Sequence, residues 1–127
     1  MANKESVRSL LERYCAAMSE RRREDWLDCF ADDAVQEDPV GTPANVGRAA
    51  IGRFFDANEV PVTLTLTSDP LVVGREVLAF FQVVAQMDGK QMLLPRIIDH
   101  IVLTEDGTRI QSLRAFFDYA EMVPAAE

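Results

Sequence analysis

Hydrophobic residues in the first half of the chain recur at the spacing of one helical face. In residues 4–20 the apolar positions fall at i, i+3, i+4 and i+7, which predicts an amphipathic helix with Tyr14 in the middle of its buried stripe. Residues 24–31, which carry Trp26 and Phe30, predict a second and shorter helix. A short strand over 34–38 and a third helix over 48–58 follow, separated by a loop rich in glycine and proline.

From residue 62 onward the pattern changes to the alternation of β-strands. Residues 62–67, 77–87, 91–104 and 109–122 predict strands, most of them long. Asp88-Gly89 is a strong two-residue hairpin signal, and residues 105–108 form a second turn between strands. Three helices followed by such strands predict an α+β domain in which a curved antiparallel sheet wraps around the helices and encloses a pocket. We expect a single domain over 1–127, with fraying at residues 124–127.

One carboxyl group lies on an apolar strand face. With a two-residue period, Asp99 shares a face with Leu93, Pro95, Ile97, Ile101 and Leu103, whereas His100 points to the other side. Because an unpaired buried carboxylate is very costly, this pattern predicts a raised pKa and a neutral, hydrogen-bond-donating Asp99. The alternative is an Asp on an exposed face, or one satisfied by backbone groups.

Composition narrows the classes of partner. The chain has 127 residues and a formal net charge of −8, which argues against nucleic acid as a partner because such binding depends on clustered Lys and Arg. No apolar run reaches the length of a membrane span and the N-terminus lacks a signal-peptide layout, so we expect a cytoplasmic protein. Cys15 and Cys29 have no metal-binding spacing and are expected to be buried free thiols. A single histidine, His100, leaves no basis for a metal site or a nucleophile-and-base set.

A second carboxylate of interest stands in the segment Glu37-Asp38-Pro39-Val40-Gly41. Because Glu37 and Asp38 are adjacent in an extended segment, their side chains point to opposite sides, and at most one of them faces a pocket. From the residues alone, an Asp before a proline is more often part of a turn than of a catalytic site.

Several segments of the sequence together resemble those of a known protein family. Tyr14 on the first helix, Asp38 in E-D-P-V-G after F-A-D-D-A, and Asp99 in I-D-H, together with the ending I-Q-S-L-R-A-F-F, resemble the bacterial steroid Δ5-3-ketoisomerases, or ketosteroid isomerases. The similarity extends over nearly the whole chain. It implies the cone-shaped α+β fold shared with nuclear transport factor 2, no cofactor, a small apolar ketosteroid substrate and a homodimer.

The resemblance also implies the role of each site residue. In these enzymes an aspartate is the general base, while a tyrosine and a protonated aspartic acid hold the substrate oxygen. Asp38 matches the base, and Tyr14 and Asp99 match the two donors. The residue pattern agrees with the latter two positions and is neutral about Asp38.

Candidate substrate-binding residues are apolar: Phe55, Phe81, Val83 and Phe117. Phe55 departs from the family pattern, in which a tyrosine often supports the catalytic tyrosine by a hydrogen bond.

Two further functions stay open at this point. One is a polyketide cyclase of the SnoaL type, which also moves protons on an enolisable ketone, and the other is a non-catalytic ligand-binding or dimerisation domain of the same fold.

Overall fold

The structure is a computed structural model that describes residues 2–125. Its helices are α1 (Lys4–Ser19), α2 (Arg23–Leu27) and α3 (Arg48–Ala57). Its strands are β1 (Phe30–Glu37), β2 (Asn45–Val46), β3 (Val62–Leu66), β4 (Leu71–Val73), β5 (Glu76–Met87), β6 (Lys90–Leu103), β7 (Ile110–Phe116) and β8 (Val123–Pro124). A 3-10 turn, Tyr119–Glu121, stands between the last two strands.

The strands form one curved, open sheet with the helices packed against its inner face. The order is β2-β1-β7-β6-β5-β3, with β4 paired to β5 and β8 paired to β6. The α+β class predicted from the sequence is confirmed, but the sheet is mixed, because β1 runs parallel to β7 while the other strand pairs are antiparallel. The short strands β2 and β4 lack the alternating runs that reveal the longer strands.

The first helix matches its predicted bounds closely. Asn3 is its N-cap: the side-chain oxygen accepts from the Ser6 backbone N–H at 2.9 Å, and the Ser6 hydroxyl accepts from the Asn3 backbone N–H at 3.0 Å. The stripe that includes Val7, Leu10 and Tyr14 is buried against the sheet. Tyr14 is thereby held at the centre of the fold.

The second helix is shorter than predicted. It ends at Leu27, and Phe30 already belongs to β1, where it pairs with Ile110 of β7. The Ile110 backbone N–H donates to the Cys29 carbonyl at 2.8 Å, so long-range strand pairing overrides the local helical pattern. Cys29 therefore lies in a turn and not on a helix. Both cysteines are buried and free, as predicted.

The β5–β6 hairpin contains the turn that the sequence predicts and one irregularity that it only suggests. Asp88 and Gly89 adopt φ of 52° and 76°, the left-handed conformation that tight hairpin turns require. Phe81 pairs with Ile97 but Val83 pairs with Leu94, so β6 carries one extra residue between these positions. This β-bulge reverses the alternation before it. The predicted inward positions Leu93 and Pro95 are therefore wrong, since Leu94 is the buried residue and Pro95 is exposed.

The last predicted strand is also too long. It ends at Phe116, and the chain then turns through Tyr119–Glu121, where the Asp118 side chain accepts from the Ala120 backbone N–H at 2.9 Å. Pro124 pairs with Met92 and the Ala125 backbone N–H donates to Gln91, so the expected fraying does not begin at residue 124. Residues 126–127 lie outside the described part of the chain. None of the helices within residues 2–125 is long and apolar enough to cross a membrane.

Candidate active site

An apolar pocket of about 240 Å³ opens between the inner face of the sheet and the helices. Its wall on the sheet side comes from alternate residues of β5 and their neighbours on β3 and β6. These lining residues are Leu64, Phe81, Val83, Ala85, Leu94 and Ile97. Phe54 of α3 and Phe117, which directly follows β7, also line the pocket. Three ionisable groups, Tyr14, Asp38 and Asp99, face this apolar space together.

Asp99 reaches the pocket from the middle of β6. Asp99 is 4% exposed, and one of its carboxyl oxygens, Oδ1, is buried without a hydrogen-bond partner among the described residues. The residues opposite it on the flanking strands are Ala79 of β5 and Ala115 of β7. Because both side chains are single methyl groups, they leave open space around the carboxyl group.

Asp38 reaches the same region from the end of β1. Glu37 pairs with Arg114 of β7, and the side chains of these two residues meet outside the sheet at 3.4 Å. Asp38, the next residue, therefore comes level with Ala115 and points inward. Of the two adjacent carboxylates, Asp38 lines the pocket and Glu37 does not. One strand, β7, therefore lies between the backbones of Asp38 and Asp99.

Tyr14 is held in place by an aromatic cluster. Its ring centroid lies 5.8 Å from that of Trp26, 6.1 Å from Phe30 and 6.1 Å from Phe81, at tilted angles. Tyr14 is 4% exposed, and its hydroxyl has no hydrogen bond to any residue in the range 2–125. The hydroxyl oxygen is not fully enclosed; it borders the pocket, where it is available to a ligand oxygen.

Burial in the pocket raises the pKa of each of the three ionisable groups. Burial, with a smaller effect of the Asp38 charge, raises the pKa of Asp99 well above its usual value. Burial, followed by the charges of Asp99 and Asp38, also raises the pKa of Tyr14. Burial raises the pKa of Asp38 to about 7. Asp38 is therefore the first of the three to ionise, while Asp99 and Tyr14 stay protonated as hydrogen-bond donors.

The structure brings most of the predicted binding residues to the pocket, with one exception. Phe81, Val83 and Phe117 line it. Phe55 does not: its ring packs on Trp26 at 5.2 Å and beneath the Arg21 guanidinium at 4.0 Å. The preceding residue, Phe54, lines the pocket instead, because a shift of one residue on a helix turns the side chain by roughly 100°.

His100 lies on the opposite face of β6 from Asp99, as the alternation predicts. Its Nε2 atom is 2.8 Å from Oε1 of Glu76 on the outside of the sheet. The pattern of hydrophobic positions did not single out Gln36, whose side chain is completely buried. Gln36 Oε1 accepts from Asn45 Nδ2 at 3.0 Å, and its Nε2 has no partner among the described residues.

Six other lining residues were not among the predicted binding residues. The exposed ones, Asn58, Val60, Met87 and Tyr119, mark the mouth of the pocket, and the other two, Met18 and Met122, are half-buried. Most of them stand in loops or at the ends of elements, where hydrophobic periodicity has no meaning. Within residues 2–125, no group of three or more His, Cys, Asp or Glu side chains is placed to hold a metal ion.

Comparison with known proteins agrees with this architecture. Residues 11–113 match the SnoaL-like domain family. The chain belongs to this family. It is 32% identical over 118 residues to a steroid Delta-isomerase of Nocardioides simplex, covering 92% of this chain and 94% of that protein. The crystal structure of RV0760c from Mycobacterium tuberculosis superposes with a TM-score of 0.81 at 20% identity, covering 98% of this chain and all of that one, which shows a common fold.

The raised pKa of Asp99 predicts an unusual pH dependence of stability. Below about pH 4 Asp99 is protonated in both the folded and the unfolded states, whereas above it the unfolded state loses the proton and gains stability relative to the folded state. We therefore expect Asp99→Leu to raise the free energy of unfolding relative to the parent by an amount that grows as the pH increases from about 4 to 7. Urea titrations at several pH values measure this difference.

Asp106 provides the control with the opposite sign. Hydrogen bonds from Thr104 and Thr108 lower the pKa of Asp106 to about 2, so its contribution to stability is present above about pH 4 and is lost as the pH falls toward 2. Asp106→Asn should destabilise the protein at neutral pH. A pH-independent effect of Asp99→Leu would show that Asp99 is not held neutral by the fold.

Proposed function

We propose that this protein is a cofactor-free isomerase that converts Δ5-3-ketosteroids to conjugated Δ4-3-ketosteroids by intramolecular proton transfer. One observation carries the proposal. Asp38, a carboxyl group with a pKa of about 7, shares an apolar pocket with Asp99 and Tyr14, which stay protonated and whose side chains make no hydrogen bond within residues 2–125. When two carboxyl groups in one site have different pKa values, the lower one acts as the base and the higher one as the acid or donor.

The proton transfer needs only one base. The Asp38 carboxylate removes a proton from the carbon between the ketone and the double bond, which gives a dienolate and a protonated Asp38. Asp38 then returns the same proton to the far end of the conjugated system, two carbons away. The double bond moves into conjugation with the ketone, and Asp38 is an anion again. No electron donor or acceptor takes part, so the reaction is balanced within the substrate and Asp38.

The donors make the proton removal possible. Negative charge accumulates on the ketone oxygen as the dienolate forms, and donors that are already in place stabilise it without reorganisation. Tyr14 and neutral Asp99 are suited to this role because neither carries a charge that would repel the oxyanion. The apolar surroundings strengthen both hydrogen bonds by excluding water. Phe55, which has no hydroxyl, gives Tyr14 no hydrogen bond.

The relatives support this reaction over its alternatives only in part. The similarity to the steroid Delta-isomerase of Nocardioides simplex favours an isomerase with a small apolar substrate. The SnoaL-like domain family match is equally compatible with a cyclase that acts on an enolisable polyketide ketone. Adding a Δ5-3-ketosteroid and following the ultraviolet absorbance of the conjugated enone separates the two. Absence of a signal at high enzyme concentration would favour the cyclase or a non-catalytic binding protein.

The first activity prediction concerns the base. We expect Asp38→Asn to bind steroid but to lose most of the isomerase activity, because an amide does not accept the proton. In the parent, kcat/KM should increase with pH through about 7 and then level off, since only the Asp38 carboxylate is active. Glu37→Gln is the matched control: it removes the adjacent carboxylate outside the pocket and should leave the rate and its pH profile unchanged. Near-parental turnover by Asp38→Asn would remove Asp38 from the mechanism.

The second activity prediction concerns the donors. We expect Tyr14→Phe and Asp99→Leu each to lower kcat by roughly 10²–10³, the usual loss for one oxyanion donor. Rates should be divided by the concentration of folded protein, measured from a denaturation curve on the same preparation. A less stable Asp99→Leu protein with a normal rate per folded molecule would show that Asp99 has a structural role only.

The outer face of the sheet supports a further part of the proposal, a homodimer. Phe80, Ile98 and Phe116 form one row across β5, β6 and β7 on the face away from the pocket, and Phe116 is 44% exposed. Phe80 and Ile98 are half-buried, and an apolar row with an exposed aromatic at its end is compatible with a protein interface. We propose that a second copy covers it.

Phe116→Glu tests the dimer, because a charge at the centre of an apolar interface is expensive to bury. We expect the parent to be a dimer by light scattering after gel filtration and this variant to be a monomer. Val73→Glu, at a position that is 67% exposed on β4, is the control and should stay dimeric. A monomeric parent would contradict the proposal.

A further inference from the structure

The pocket has two chemically different ends along β5. Asp99 stands opposite Ala79, and the lining residues of β5 then follow at every second position as far as Met87, next to the hairpin turn. On β6 the lining runs in the same direction, from Asp99 through Ile97 to Leu94. Asp38 comes level with Ala115, the β7 partner of Asp99, and the Tyr14 ring lies 6.1 Å from that of Phe81, so the three ionisable groups are at one end. The exposed lining residues Val60 and Met87 mark the mouth at the hairpin end.

The apolar wall is longer than a four-ring nucleus. From Phe81 to Met87 the strand advances six residues, or about 20 Å at roughly 3.3 Å per residue. A fused four-ring skeleton built from C–C bonds of about 1.5 Å extends roughly 10 Å from its ketone. A steroid whose ketone lies between Tyr14 and Asp99 would leave the last part of this wall uncovered.

That last part is apolar and exposed. Val60 is 44% exposed and Met87 is 39% exposed, and both line the mouth. Met18 and Met122, which are unbranched and adaptable, line the same pocket. The pocket volume of about 240 Å³ is below the range of about 300–1,000 Å³ usual for ligand pockets, so a ligand of steroid size would extend beyond it along this rim.

We propose that the preferred substrate of this site is a 3-ketosteroid that carries an aliphatic side chain at the end opposite the ketone, and that Val60 and Met87 cover this chain. The inference rests on the proposed function, which fixes the ketone between Tyr14 and Asp99. This proposal explains why Val60 and Met87 are exposed in the free protein: the alkyl chain of the ligand would cover them.

Two pairs of compounds with the same ring nucleus test the inference. One pair consists of Δ5-3-ketones, used for kcat/KM, and the other of the corresponding conjugated Δ4-3-ketones, used for equilibrium binding by the fluorescence of Trp26, the single tryptophan. One member of each pair bears a branched eight-carbon chain opposite the ketone, and the other member has none. We expect the chain-bearing compounds to bind at least about tenfold more tightly, since each buried methylene favours binding several-fold.

Rim variants show whether Val60 and Met87 are responsible. Val60→Ser and Met87→Ser should each reduce the ratio of chain-bearing to chain-free affinity by about threefold or more. Leu71→Ser is the matched control: Leu71 is 54% exposed on β4, at the other end of β5, and its replacement should leave the ratio unchanged. Equal affinities for the two compounds, or equal effects of the rim and control variants, would overturn the inference.

The outcomes also separate this inference from the proposed function. If only the chain-free ketone is isomerised and bound well, the reaction stands and the inference about the side chain fails. If the chain-bearing compound binds more tightly, with loss in the rim variants, but neither ketone is isomerised, the ligand class stands and the isomerase assignment fails.

Discussion

The burial of Asp99, whose Oδ1 has no hydrogen-bond partner among residues 2–125, is the constraint on which the rest of the site depends. An ionised carboxylate in this position would lose most of its hydration and gain no compensating cation, so the fold holds it protonated. The proton is then available to an oxygen atom of a ligand. Tyr14 follows the same logic, because burial raises the pKa of its hydroxyl and nearby carboxylate charge adds to that effect. Burial in the pocket thus keeps both donors, Asp99 and Tyr14, protonated.

The position of Asp99 depends in turn on the register of the sheet. The extra residue in β6 between Leu94 and Ile97 places both of these side chains on the same inner face as Asp99. Without the bulge, Leu94 would point outward and Pro95 inward, since each residue added or removed reverses the face of everything beyond it. One local irregularity therefore completes the apolar wall that raises the pKa of Asp99.

Hydrophobic periodicity predicts the elements that have one clearly apolar face. It fails where long-range contacts determine the secondary structure. The stripe of α1 and the alternation around Asp99 were sufficient to place Tyr14 and Asp99 inside the molecule. The end of α2 was not predictable, because Phe30 joins β1 only through pairing with Ile110, which is 80 positions away in the chain. Asp38 stayed ambiguous for a related reason. Its inward direction follows from the pairing of the preceding residue with β7, and no local pattern encodes that pairing.

The two ends of the pocket are built from different kinds of structure. Two of the ionisable groups stand on regular elements, whereas the residues at the mouth stand in or beside loops. Tyr14 stands in the middle of a helix and Asp99 in the middle of a strand, where packing and two neighbouring strands fix their positions. Val60 and Met87 stand at a loop and beside a hairpin turn, where substitutions disturb few contacts. Changes at the mouth can therefore alter which ligand fits without moving Tyr14 or Asp99. A fold arranged in this way allows one fixed pair of hydrogen-bond donors to serve ligands of different length.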